Sequence, residues 1–261
     1  MSAAGRWIGE ARQLLDRLEA TQTAQLADAS AICADAIAAG GLVHLFGAGH
    51  SRIPVEEMFP RYGSYPGFHP IAELSMTFHT QIVGANGQRQ AMFIERVEGL
   101  AEVILSNFTF GPHDAFMVFS VSGRSAVPIE IAIGAQRRGM PVIAVTSVAE
   151  STTVPSRHTS GTRLLDHGDV VIDLGTPPGD ALVDLDGLET KVGPGSTFVL
   201  AAVANEIKVQ TAELLVGRAA MPAVITSSSV VGEERSTDLF DSAYADHAAR
   251  FAKAIDPDRS Q

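Results

Sequence analysis

The sequence predicts an α/β protein, a three-layer α/β/α sandwich built on a parallel five-stranded sheet. Three observations carry that expectation. Apolar runs of strand length alternate with longer segments of helical spacing. The runs are apolar throughout, as strands buried on both faces are. Two of them end in a small polar turn that opens a helix: Gly47-Ala48-Gly49-His50-Ser51 and Ser120-Val121-Ser122-Gly123-Arg124-Ser125. In open parallel sheets such turns lie beyond the carboxyl ends of the strands, where ligands bind.

Taken in order, the chain starts with Ile8, Ala11, Leu14, Leu15 and Leu18 at helical spacing, and Ala24 to Ala39 continues the habit up to Gly40-Gly41. This predicts two helices or one long bent one. Residues 1–40 are read as a helical arm, expected to pack against a partner subunit. Residues 41–217 are read as the ligand-binding domain, its first helix beginning near 24, and residues 218–261 as a partly disordered C-terminal segment. Leu42–Phe46 is a strand interrupted by His44, followed by the glycine turn and a helix to about Met58. An aromatic, proline-containing loop leads to a short strand at Phe68–Ile71. Residues 84–90 read as a loop, and Ile94–Leu105 as one helix carrying Glu95, Glu98 and Glu102. Four-residue spacing puts Glu98 and Glu102 on one face, either a solvated acidic surface or a face with one base aimed into a site.

Ala115–Val121 is the next buried strand. Pro128 suits only the first turn of the helix after it, and Gly139 can stop that helix before the strand Pro141–Thr146. Residues 151–161 form a hydroxyl-rich loop with Arg157 and His158. Asp169–Leu174 is the fifth strand, and a short strand follows at Ala181–Leu185. Asp180, Asp184 and Asp186 match no calcium loop and are assigned to turns and surface. Gly193 to Thr197 cap an apolar helix from Phe198 to about Leu215, and the polar tail holds one more helix, Leu239–Ala254.

The serine turn is the stretch richest in chemistry. A helix N-terminus leaves amide donors unpaired and carries partial positive charge. Ser120, Ser122 and Ser125 add hydroxyls there, and Gly123 lets the backbone come close, so a phosphate can be cradled. Serine is also a preferred N-cap and by itself needs no ligand. Gly49, Ser51 and Arg52 suit a phosphate or a sugar hydroxyl. His50 is either a functional imidazole or a polar helix-start residue. The glycine turn lacks the third glycine and the acidic ribose partner of a dinucleotide fingerprint, so an NAD site is set aside.

The chain has 261 residues, 46% hydrophobic and 19% charged, with a net charge of −11. That charge argues against nonspecific binding to nucleic acid or to an anionic membrane, and no helix-turn-helix segment stands out. The one cysteine, Cys33, excludes an intrachain disulfide and a cysteine metal site, and reads as a small core residue. The N-terminus is amphipathic and no apolar run is long enough to span a bilayer, so a cytoplasmic protein is expected.

With both turns in view, the chain resembles a SIS (sugar isomerase) domain. LVHLFGAGHS matches its first strand and turn, and FSVSGRSAVPIEIAIGAQRRGMPVIAVTS its serine loop, helix and next strand. The resemblance covers roughly residues 30 to 217. More narrowly, GAGHS, EEMF, ERVEG, SRHTSG, GDALV and VGPGST look like a stand-alone bacterial SIS family described only as uncharacterised, related to N-acetylmuramic acid 6-phosphate etherase.

The resemblance implies that Ser120, Ser122, Gly123 and Ser125 hold a sugar phosphate, with Gly49, His50 and Ser51 close to the sugar. It implies a homo-oligomer, dimer or tetramer, with the site near the subunit interface. The etherase uses two glutamates. One corresponds to Glu57, although the helix from Ser51 to Glu57 is about a turn shorter here. The other falls in RVEGLAE, where a one-residue offset leaves Glu98 and Glu102 both eligible. His158, and less directly His50 or His79, are further proton donors, reaching a neighbouring subunit's site. The implied chemistry needs no metal and no cofactor. Elimination of water from an N-acetylated amino sugar 6-phosphate, aldose–ketose isomerisation, and sugar-phosphate sensing without turnover are the three functions it leaves open.

Overall fold

The computed structural model describes residues 3–77, 85 and 87–256. Its first element, α1 (Arg6–Ala38), is a single helix of 33 residues. From Leu14 onward its apolar side is buried with α8 of the same chain (Ser196–Gly217, below), and Leu26, Ala29 and Cys33 lie in the core. Then follow β1 (Val43–Gly47), α2 (Ile53–Met58), β2 (Phe68–Ile71), α3 (Leu74–Thr77), α4 (Gln88–Ile94) and α5 (Leu100–Leu105). The central repeat is β3 (Ala115–Phe119), α6 (Ala126–Arg137), β4 (Val142–Thr146), α7 (Val148–Thr153) and β5 (Val170–Asp173). The chain ends in β6 (Ala181–Val183), β7 (Val192–Pro194), α8 (Ser196–Gly217), α9 (Ser228–Val231) and α10 (Glu233–Ala254).

The first five strands make one parallel sheet in the order β2-β1-β3-β4-β5, and β6 and β7 form a separate antiparallel pair. The alternation of side chains along β3 shows the three layers. Ala115, Met117 and Phe119 pack with α1 and α8, whereas Phe116 and Val118 face α5 and α6. Each buried Phe or Met contributes about 1.5–3 kcal/mol on leaving water, and strands apolar on both faces are what such a sandwich requires.

Three expectations are corrected. Residues 94–105 are not one helix: α4 ends at Ile94, a turn follows, and α5 starts after Gly99, whose φ of 86° is left-handed. A left-handed residue cannot continue a helix, so Glu98 lies in the turn and shares no helical face with Glu102. The hydroxyl-rich loop begins later than expected, because Val148–Thr153 is helical and capped by the Ser147 hydroxyl. The tail helix also starts earlier, at Glu233. Residues 257–261, the end of the segment read as partly disordered, and His79 lie outside the described residues.

Candidate functional site

The strand order changes direction at β1. The chain leaves β1 for β2 on one side and returns as β3 on the other. The carboxyl ends of β1 and β3 are therefore neighbours with loops leading away from each other, and a crevice opens between them. A cavity of about 460 Å³ occupies that place. It is walled by Ala48, His50 and Ser51 from the first turn and by Ser120, Val121 and Ser122 from the second. Glu95, Glu150 and the start of α8 at Ser196 and Thr197 complete it.

Both turns depend on glycine. A Cβ on Gly47 would collide with the backbone oxygen of Ser51, so no other residue lets the chain fold back there. Gly123 has φ 58°, and a Cβ on it would lie 2.8 Å from Thr146 Oγ1 and 3.2 Å from Ser151 Oγ. The serine loop is pinned from three directions. Gly123 N donates to Ser120 Oγ (3.2 Å), Leu164 N to the Gly123 carbonyl (2.7 Å), and Arg157 N to the Arg124 carbonyl (2.9 Å).

Of the serines singled out from the sequence, Ser51, Ser120 and Ser122 wall the cavity together with His50. Ser125 is buried and does not cap α6; its hydroxyl donates to Glu95 Oε1 at 2.9 Å. Glu95 also receives Val127 N on its backbone carbonyl (2.9 Å). It is thus tied by side chain and main chain to the first turn of α6. Burial raises its pKa above the usual carboxylate range; the Ser125 hydrogen bond and Arg96, Arg157 and Arg124 nearby oppose that rise without cancelling it.

Glu95 is the carboxylate that the sequence reasoning passed over. The available signal was Gly99, a glycine inside an otherwise helical pattern. Asp180 was likewise read as turn or surface. Its backbone is left-handed (φ 63°), it borders the cavity, and its carboxylate caps α8 through Ser196 N (2.8 Å) and Ser196 Oγ (2.6 Å).

Of the acid–base candidates, Glu57, Glu98, Glu102 and His158 lie elsewhere in the single chain and are not among the residues walling the cavity. Glu57 joins α2 to α8: Arg61 Nη1 donates to it at 2.8 Å, Asn205 Nδ2 at 3.2 Å, and Lys208 Nζ stands 3.6 Å away. Burial pushes its pKa up, but Asn205, Lys208 and Arg61 together bring it below the ordinary value. Glu102 pairs with Arg138, which lowers its pKa.

Glu98 accepts from Thr159 N and Thr159 Oγ1, both at 2.7 Å, and these bonds lower its pKa. His158 Nε2 lies 3.3 Å from Glu130 Oε1, and its Nδ1 meets Ser160 Oγ at 2.7 Å. Glu98, Glu130 and His158 each place a ligand atom within 4.8 Å of the others. Each side chain is already hydrogen-bonded to the loop or to the Gly99 turn, so the group is a clasp holding residues 154–161 against α6.

The family model for the SIS domain matches residues 6–147. The chain belongs to the SIS domain family, as its two turns suggested. More narrowly, it is 34% identical over 231 residues to a UPF0309 protein of Streptomyces coelicolor, a match covering 88% of this chain and 90% of that one. A UPF0309 protein of Oceanobacillus iheyensis is also 34% identical, over 88% of this chain and 92% of its own. Among solved structures, a phosphoheptose isomerase from Neisseria gonorrhoeae is similar at 15% identity and a TM-score of 0.49, covering 79% of this chain and 94% of that one. No helix among the described residues is long and apolar enough to cross a membrane.

Proposed function

We propose that the protein is a sugar-phosphate lyase. It eliminates water across carbons 2 and 3 of an N-acetylated amino sugar 6-phosphate, and N-acetylglucosamine 6-phosphate is the substrate we would test. The observation that carries this reading is a partly desolvated carboxylate, Glu95, on the wall of a cavity between two loops suited to a phosphate and a sugar. A proton beside an aldehyde is weakly acidic. A carboxylate removes it best when held in place and shifted toward neutrality by burial. A phosphate fixed at the far end of the open-chain sugar aligns carbon 2 with that base.

In this reading Glu95 takes the carbon 2 proton, the carbon 3–oxygen bond breaks, and the hydroxyl leaves as water after protonation. The carbon 2–carbon 3 double bond remains. His50, on the same wall, is the side chain we assign to the leaving hydroxyl. The resemblance gives these tasks to Glu57 and to Glu98 or Glu102, with His158 as a donor. That assignment belongs to an assembled homo-oligomer, in which a second copy brings side chains to the cavity. The acetamido group hinders ordinary isomerisation at carbon 2, which is why elimination is preferred to the aldose–ketose alternative.

The test is proton NMR of N-acetylglucosamine 6-phosphate with the protein in deuterated water. A vinylic signal with loss of the carbon 2 proton supports dehydration. Exchange or a ketose without it means an isomerase, and binding without turnover means a sensor. Glu95→Gln, Glu57→Gln, Glu98→Gln and Glu102→Gln in the same assay decide which carboxylate is the base.

A further inference from the structure

Outside the carboxylates, the least balanced charge near the cavity is a group of arginines. Arg124 lies in the serine loop between Gly123 and Ser125. Arg157 is bonded to it through the backbone, its N donating to the Arg124 carbonyl at 2.9 Å. Arg96 follows Glu95, whose side chain and main chain are both fastened to the start of α6, two residues beyond Arg124. Three separate segments thus bring three guanidinium groups around one carboxylate.

Elsewhere in this acidic chain some arginines meet acids, and others, such as Arg17 and Arg163, bond backbone carbonyls. Arg52 pairs with Glu56, Arg61 with Glu57, Arg218 with Asp35 and Arg250 with Asp246. Arg96, Arg124 and Arg157 make no ion pair among the described residues. The Nε of Arg124 is shielded from solvent and has no hydrogen-bond partner. A desolvated donor without an acceptor is costly, and a guanidinium fork is the group best matched to a phosphate.

We infer that Arg96, Arg124 and Arg157 form an anion subsite beside the serine loop, which takes a phosphate-type oxyanion. The inference deepens the proposed function and rests on it for the identity of the sugar, but not for the anion. One of the loop hydroxyls spends its proton within the protein: Ser125 Oγ donates to Glu95, whereas Ser120 Oγ accepts from Gly123 N and keeps its own proton to give. The loop alone is therefore a weaker cradle than its three serines suggest, and the arginines supply the missing donors and charge. Burial lowers the pKa of Arg157, and repulsion from Arg124 and Arg96 adds to it, against the opposing pull of Glu95 and Glu150.

The experiment is a calorimetric titration of inorganic phosphate into the wild-type protein and into Arg124→Gln, Arg157→Gln and the double variant, with Arg12→Gln on α1 as control. Melting curves establish that each variant is folded. The expected result is about tenfold weaker phosphate binding for each arginine removed, the scale of a lost charge-assisted hydrogen bond, with Arg12→Gln unchanged and Arg157→Lys intermediate. Wild-type phosphate affinity in the folded double variant overturns the inference. Arginine-dependent phosphate binding in a protein that turns over no amino sugar phosphate upholds the subsite and defeats the proposed reaction. A vinylic product formed with unchanged KM by the double variant upholds the reaction and defeats the subsite.

Discussion

The two ends of the parallel sheet are both polar, and they treat their polar groups in opposite ways. At the carboxyl end, around Glu95 and the serine loop, carboxylates and hydroxyls border an open cavity. At the amino end, a histidine pair is sealed. The β1–β2 register sets His44 beside His69, and their Nδ1 atoms are 2.8 Å apart. His44 Nε2 lies 3.2 Å from Asp114 Oδ2. Asp114 also accepts Leu42 N (2.8 Å) and Gly111 N (2.6 Å). Because a carboxylate only accepts, His44 carries its proton on Nε2 and receives His69 Nδ1–H on Nδ1. Phe108, Phe110, Phe116 and Phe251 close the group off. The comparison teaches that buried polarity alone does not mark a site. A network with its donors and acceptors matched holds the fold together; one with donors left over awaits a ligand.

The largest way to break the comparison is at Glu95. Glu95→Gln keeps the shape and a partner for Ser125 but removes the base. Turnover of the substrate is expected to fall by about 10²-fold or more, with the melting temperature little changed. A fully active Glu95→Gln would move the base to Glu57, Glu98 or Glu102 and leave Glu95 as a loop tie.

At the sealed end the effect should be on stability. Asp114→Ala leaves two buried backbone N–H groups and His44 without their acceptor. The expected cost is about 3 kcal/mol, the scale of breaking a buried polar network, read as a lower denaturation midpoint with an unchanged slope. Phosphate binding by the folded fraction should stay as in wild type. If it is lost as well, the two ends are coupled.

Acid sharpens the same contrast. Burial pushes the His69 pKa down to about 3, with the neighbouring His44 and His247 adding to the shift against the opposing pull of Asp114. The unfolded chain takes up that proton near the ordinary histidine value of 6.5, the folded chain only near 3, so the unfolded state binds more protons between the two. Stability is therefore undiminished above 6.5 and is lost progressively as pH falls toward 3, at a slope of up to about 1.4 kcal/mol per pH unit. Asp114, whose pKa is below its ordinary value because its hydrogen bonds outweigh burial, acts in the same direction at the lower end of the window. Denaturation midpoints of wild type and His69→Gln at pH 7, 5.5 and 4.5 check this. The variant should show the shallower dependence.

What could be read in the sequence follows the range of the interactions involved. The five strands were legible because a doubly covered strand must be apolar along its own length, and the two turns because their glycines act locally. The break between α4 and α5 was not. One glycine, Gly99, outweighed an apolar pattern that ran on through Val97, Leu100 and Leu105, and with it Glu95 went to the cavity and Glu98 to Thr159. His44 showed only as a polar interruption of a strand, since its partners lie 25 and 70 residues away. The arginine group is assembled in the same way, from three segments that only the fold brings together.

The smallest prediction concerns a hydroxyl on the border between the two kinds of polarity. Ser151 is fully buried on α7, close beneath Gly123, and its Oγ has no hydrogen-bond partner. If the serine loop were a closed network like the one around Asp114, removing a member would cost stability. A hydroxyl without a partner has already lost its water and gains nothing in return, so Ser151→Ala should be neutral or stabilising by up to about 1 kcal/mol. Thermal melts with and without inorganic phosphate separate two roles for it. An unchanged ligand-induced rise in melting temperature makes Ser151 mere packing beneath Gly123. A reduced rise means that the hydroxyl takes part in holding the loop once an anion is bound, and that the unmatched polarity extends one layer deeper than the cavity wall.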